Sequence, residues 1–167
     1  SPVGSFAYSE GLETCVATGN LRDRRSAQQY LEGLLTHSLG GLDLPLLTKM
    51  YQAWEAERPD SAVKLDTWLL ASRETAELRA SDRHQGRALM RIAAALGIAD
   101  HQPFSATEGP SYACAFAFVS AKLGVSMEDA AVAFAYAWLE NLVLALVKLV
   151  PLGQSDGQRI IFELAGL

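Results

Sequence analysis

Two carboxylates three residues apart, Glu10 and Glu13, would share one face of a helix, and such a pair has the make-up of an acid and base couple in a small helical hydrolase. No third group in the sequence supports them, so an ordinary exposed pair is the alternative. The three histidines, His37, His84 and His101, stand in separate segments without cysteines or carboxylates at metal-ligand spacing, and read as surface or packed residues, not metal ligands. The chain has no G-x-x-x-x-G-K-[ST] phosphate loop, no G-x-G-x-x-G and no H-E-x-x-H, so neither a nucleotide nor another cofactor is expected on it.

Charge elsewhere is sparse but placed. Arg73, Glu74, Glu77, Arg79, Asp82 and Arg83 make the densest run. Arg73 with Glu77 and Arg79 with Asp82 have helical pair spacing, which describes either a salt-bridged, solvent-facing helix or a partner-binding surface. Lys148 closes the apolar run 131–150 and is followed by Pro151, Gly153, Gln154 and Gln158. A lysine there complements the helix dipole, and beside a rigid turn with amide side chains it also suits a docking surface. The segment 2–13, PVGSFAYSEGLE, carries Gly4 and Gly11 in what should be an amphipathic helix. Glycine there costs about 1 kcal/mol against alanine, so close packing is the expected reason.

The elements that must hold these groups are helical. AVAFAYAWLENLVLALVKLV, residues 131–150, approaches the length that spans a bilayer. Glu140 and Asn141 would then sit near the midplane, and no basic cluster or aromatic girdle flanks the run. A buried central helix of a bundle, with Glu140 and Asn141 in the interior or at a dimer interface, is the expected alternative to a membrane span. Apolar stripes such as Leu46, Leu47, Met50, Tyr51 and Trp54 repeat along the chain with little strand signal. They predict about eight helices at 5–18, 26–39, 44–56, 61–79, 82–96, 111–123, 127–150 and from 155. Gly19, Gly40 with Gly41, Gly97 and Gly124 serve as stops, and Asp60 and Ser126 as N-caps. The expected fold is all-α, a single-domain bundle over 1–167 whose longest and most buried helix lies in its C-terminal half.

Composition sets the outer bounds. With 167 residues, half of them hydrophobic, and a net charge of −5, the chain suits one globular domain and disfavours a nucleic-acid partner. Cys15 and Cys114 read as reduced core residues of a cytoplasmic protein, and no signal-peptide pattern opens the sequence.

At its two unusual stretches the sequence resembles the urease accessory protein family UreF. Pro2, Gly4, Ser5, Phe6, Ser9, Gly11, Leu12 and Glu13 match its opening signature. Tyr136, Trp138, Glu140, Lys148, Leu149, Pro151, Gly153, Gln154, Gly157 and Gln158 match a later one, Arg73 and Glu74 its Arg-Glu step, and Gln85 with Gly86 its Gln-Gly. Family members usually begin earlier and carry a further C-terminal segment. The resemblance implies a non-enzymatic chaperone, often a homodimer, bridging UreD (UreH in some species) and the GTPase UreG. GTP hydrolysis would thereby be coupled to nickel insertion into the urease apoprotein. It marks Lys148, Pro151, Gly153, Gln154, Gln158, Ser9, Glu13, Arg73 and Glu74 as partner-binding, and Gly4, Phe6, Gly11, Tyr136 and Glu140 as structural.

Overall fold

Helix ends are set by short polar side chains where the sequence offers them. The computed structural model describes residues 9–99, 102–104 and 106–166, with the backbone alone for 9–11 and 102. Among the described residues there are eight α-helices: α1 (Ser9–Ala17), α2 (Arg24–Gly33), α3 (Leu44–Glu55), α4 (Pro59–Ala71), α5 (Ala76–Ala95), α6 (Tyr112–Lys122), α7 (Met127–Leu149) and α8 (Gln154–Leu164). Asp23, Thr75, Ser111 and Ser126 cap α2, α5, α6 and α7, each accepting an N–H three residues on, which satisfies one of the amides left open at a helix start. Gly19, Gly97 and Gly124 end their helices at φ of 76°, 68° and 68°, in the left-handed region that glycine enters without strain.

Three expectations are corrected. Gly40 and Gly41 do not stop a helix: residues Leu34–Asp43 wind as a π-helix that joins α2 to α3 without a break, so the eight helices form seven rods. The expected helix 61–79 breaks at residues 72–75, because Thr75 caps a new helix there and Arg73 is drawn inward by carboxylates. Asp60 is not the cap of α4 but lies in its first turn, behind Arg58 and Pro59, where proline's missing N–H costs nothing.

Two apolar cores form among the described residues. One gathers Leu47, Met50, Leu69, Met90, Cys114 and Phe118 from α3, α4, α5 and α6, with Phe134 from the first half of α7. Trp54, Phe104 and Phe118 meet edge to face inside it, at centroid distances of 4.8 to 5.8 Å. The other gathers Leu12, Leu31, Leu142, Leu146 and Ile160 from α1, α2, the second half of α7 and α8. Both cysteines are free thiols, Cys114 buried and Cys15 half-buried.

α7 runs through both cores and is the longest helix, at 23 residues, but not the most buried. Only 33% of its most apolar stretch is buried, whereas Ala113, Cys114, Ala115, Ala117, Phe118 and Ser120 make α6 the inner helix. By length and composition α7 could cross a membrane, yet one of its faces packs into the two cores of this chain.

Candidate functional site

The break at residues 72–75 places a guanidinium between two buried carboxylates. Arg73 donates from Nη2 and Nη1 to Asp43, at 2.5 and 3.2 Å, and from Nε to Asp82 Oδ2 at 2.9 Å. Its carbonyl accepts from Arg79 Nη1 at 2.9 Å, which fixes the turn. Asp82 Oδ1 accepts the Tyr112 N–H at 2.7 Å, while Asp66 accepts the adjacent Ser111 N–H at 3.2 and 3.3 Å. Two carboxylates from α4 and α5 therefore hold consecutive amides at the start of α6, where the helix dipole favours negative charge. Burial pushes the Asp66 carboxyl up to about 6, against the pull of Ser111. It also raises Asp43, although Arg73 acts in the opposite direction.

α5 can approach α6 this closely because position 86 is glycine. A Cβ there would stand 2.1 Å from the Pro110 carbonyl oxygen and 2.6 Å from that of Ser111. Above the cluster opens a cleft of about 550 Å³, walled by the π-segment (Ser38, Leu42), the turn (Ser72, Glu74), Gln85, and Trp138 and Asn141 of α7.

The sequence-marked residues separate into different regions. Arg73 is neither solvent-facing nor paired with Glu77, and Asp82 pairs with Arg73, not with Arg79. Glu74 is exposed at the cleft rim. Lys148, Pro151, Gly153, Gln154 and Gln158 are all exposed and lie in or beside the elbow between α7 and α8. There the α8 N-terminus is capped by Gly153 without a side-chain bond, and Gly157 is buried against Val147 and Val143. Glu13 is exposed on α1 and lies outside the cleft lining. Gly4 and Phe6 fall outside the described residues, as do the side chains of Ser9, Glu10 and Gly11.

Tyr136 and Glu140 are also exposed, which corrects an interior place for Glu140 within one chain; Asn141 is half-buried in the cleft wall. Val132, Tyr136, Glu140 and Leu144 follow one another at intervals of four along the outer side of α7, the apolar members 69%, 49% and 52% exposed.

Sequence reasoning passed over Asp43 and Asp66. The available signal was a lone carboxylate inside an apolar helical run, between Leu42 and Leu44 and after Leu65. It also passed over the G-x-S-x-G signature that Gly153 and Gly157 spell with Ser155. That signature needs a strand-to-helix turn, and Ser155 instead sits exposed in the first turn of α8, after a short link from another helix. Among the described residues no group of three or more His, Cys, Asp or Glu side chains could hold a metal ion.

The family model for UreF matches residues 21–165. The chain is 38% identical over 164 residues to the urease accessory protein UreF of Alkalilimnicola ehrlichii, covering 98% of this chain and 72% of that protein. It is 40% identical over 159 residues to the protein of the same name from Teredinibacter turnerae, covering 95% and 71%. To that of a Nostoc species it is 36% identical over 167 residues, covering 99% and 73%.

Proposed function

Since the chain belongs to the UreF family of urease accessory proteins, we propose that it serves urease maturation as a cytoplasmic, non-catalytic adaptor. It bridges UreD (UreH) and the GTPase UreG, so that GTP hydrolysis is coupled to nickel insertion into the urease apoprotein. Nickel is cargo of the complex and not a cofactor of this chain. The observation that carries the reading is the elbow. Lys148, Pro151, Gly153, Gln154 and Gln158 are solvent-facing at the joint between α7 and α8, which packs beneath through Gly157. A charged rim group beside fixed polar donors is what a specific protein contact uses. On this reading Lys148 contacts UreG, while Ser9, Glu13 and Glu74 belong to the wider partner-facing surface. Arg73 supports it from below by holding the turn.

The adaptor acts as a homodimer, and the exposed row on α7 supports that part. Val132, Tyr136, Glu140 and Leu144 are symmetric about residue 138, so an antiparallel copy sets Val132 against Leu144 and the Tyr136 hydroxyl against Glu140. Rows spaced by four interdigitate readily between crossed helices.

The test is Lys148→Ala in the protein presented with UreD and UreG, with and without GTP and nickel. As a helix-end cation alone, Lys148 is worth about 0.3–1 kcal/mol, and its loss would leave the fold and every contact intact. As a buried interface charge its loss costs about 2–5 kcal/mol. Retained helicity and UreD binding with at least tenfold weaker UreG recruitment is expected; wild-type UreG binding by the variant would remove the elbow from the GTPase contact.

A further inference from the structure

Between the two cores lies a segment whose winding is unusual. π-helix normally occurs as a single turn within an α-helix, yet here it continues over the ten residues Leu34–Asp43, so that the Leu44 N–H bonds the Leu39 carbonyl five residues back. α2, on its N-terminal side, packs in the core that holds Leu31 and Ile160, and α3, on its C-terminal side, in the core that holds Met50 and Phe118. Bonds to the fifth residue back take roughly 4.4 residues per turn against 3.6 in an α-helix. Across ten residues the π-segment therefore lags an α-helix by roughly half a turn.

The phase at its end is what the Arg73 clasp grips. Asp43 is the last π residue, its side chain 2% exposed and held by two guanidinium nitrogens of Arg73. Rewinding the segment as an α-helix would swing Asp43 roughly half a turn about the axis relative to α2, away from Arg73, and would redraw the cleft wall that Ser38, Leu42 and Asp43 provide. Two neighbouring glycines sit in the middle with unequal surroundings. A Cβ on Gly40 would come within 3.0 Å of the Leu35 carbonyl oxygen, five residues back, whereas one on Gly41 would keep an ordinary 3.7 Å from Thr36 O. The contact at position 40 arises from the π register.

We infer that Leu34–Asp43 is a two-state joint, π-wound while Asp43 is clasped by Arg73 and α-wound when the clasp opens, and that this joint links closure of the Asp43–Arg73 clasp to the relative setting of α2 and α3. The inference is independent of which partners the protein serves.

Scalar couplings across hydrogen bonds, measured by NMR on the isotope-labelled full chain, read the register directly. In the wild type the Leu44 amide should couple to the Leu39 carbonyl. In Gly40→Ala and in Asp43→Ala the coupling should move to the Gly40-position carbonyl, four residues back, with helical circular dichroism retained. Gly41→Ala should keep the wild-type pattern. Persistence of the Leu39 coupling in Gly40→Ala, or in Asp43→Ala, would overturn the joint or the clasp respectively. Unfolding of Gly40→Ala alongside a folded Gly41→Ala would also overturn it, by showing that no α-wound state is within reach.

Discussion

Asp66 is a carboxylate whose burial opposes its charge. Its carboxyl titrates at about 6 in the fold, against 3.8 when free, so the folded state binds the proton about a hundredfold more tightly than the unfolded chain. That difference corresponds to about 3 kcal/mol. The raised value fixes the sign: the stabilisation is full below pH 3.8 and is lost as pH rises through about 6. Asp66→Asn keeps an oxygen for the Ser111 N–H without the buried charge. It should be more stable than wild type at pH 7.5, by about 1–3 kcal/mol in urea unfolding, with the gap closing toward pH 4. An equal gap at both pH values would show that ionisation of Asp66 is not what burial penalises. Sequence legibility divides along the same line. The exposure of Lys148, Gln154 and Gln158 is legible because polar residues around a Pro-Gly turn keep their local meaning. Arg73 was misplaced as half of a local ion pair because its partners, Asp43 and Asp82, are 30 and 9 positions away, and spacing rules reach only one helical turn.

Among elements, the crossing of α5 over the start of α6 depends on a missing side chain. Gly86→Ala would drive a methyl into backbone at Pro110 and Ser111, which cannot rotate away. The expected loss is at or above the upper end of about 1–3 kcal/mol, with lowered thermal stability and a weakened Asp66–Ser111 contact. Gly157→Ala meets the Val147 and Val143 methyls at 2.8 and 3.3 Å; those side chains can give, so the loss should be smaller. Differential scanning calorimetry of the two variants ranks them, and the reverse order would contradict the tight crossing. Most helices were readable because their stripes and caps are local, as at Ser126 and Gly124. The π-segment was not. Gly40–Gly41 has the composition of a stop, and only tertiary packing on both sides carries the winding through it.

At the scale of the molecule, the outer row on α7 separates a buried-helix reading from what the chain presents. Apolar composition alone could not distinguish a helix covered by its own chain from one left for a second copy. In the proposed antiparallel dimer, Leu144→Glu would set a carboxylate against the apolar Val132 of the facing copy. It should shift the protein from dimer to monomer in sedimentation or light scattering, with at least tenfold weaker association and unchanged helicity. A dimer undisturbed by that change would locate the interface elsewhere.

The second core has a further consequence in time. Leu12, Leu21 and Leu31 share a core with Leu142, Leu146 and Ile160, so α1 and α2 lack that part of their cover until α7 and α8 have been made. At synthesis rates of about 5–20 residues per second, those leucines wait roughly six to thirty seconds for their neighbours. During translation they present sticky, uncovered surface, and α1 and α2 leave the ribosome well before the helices they settle against.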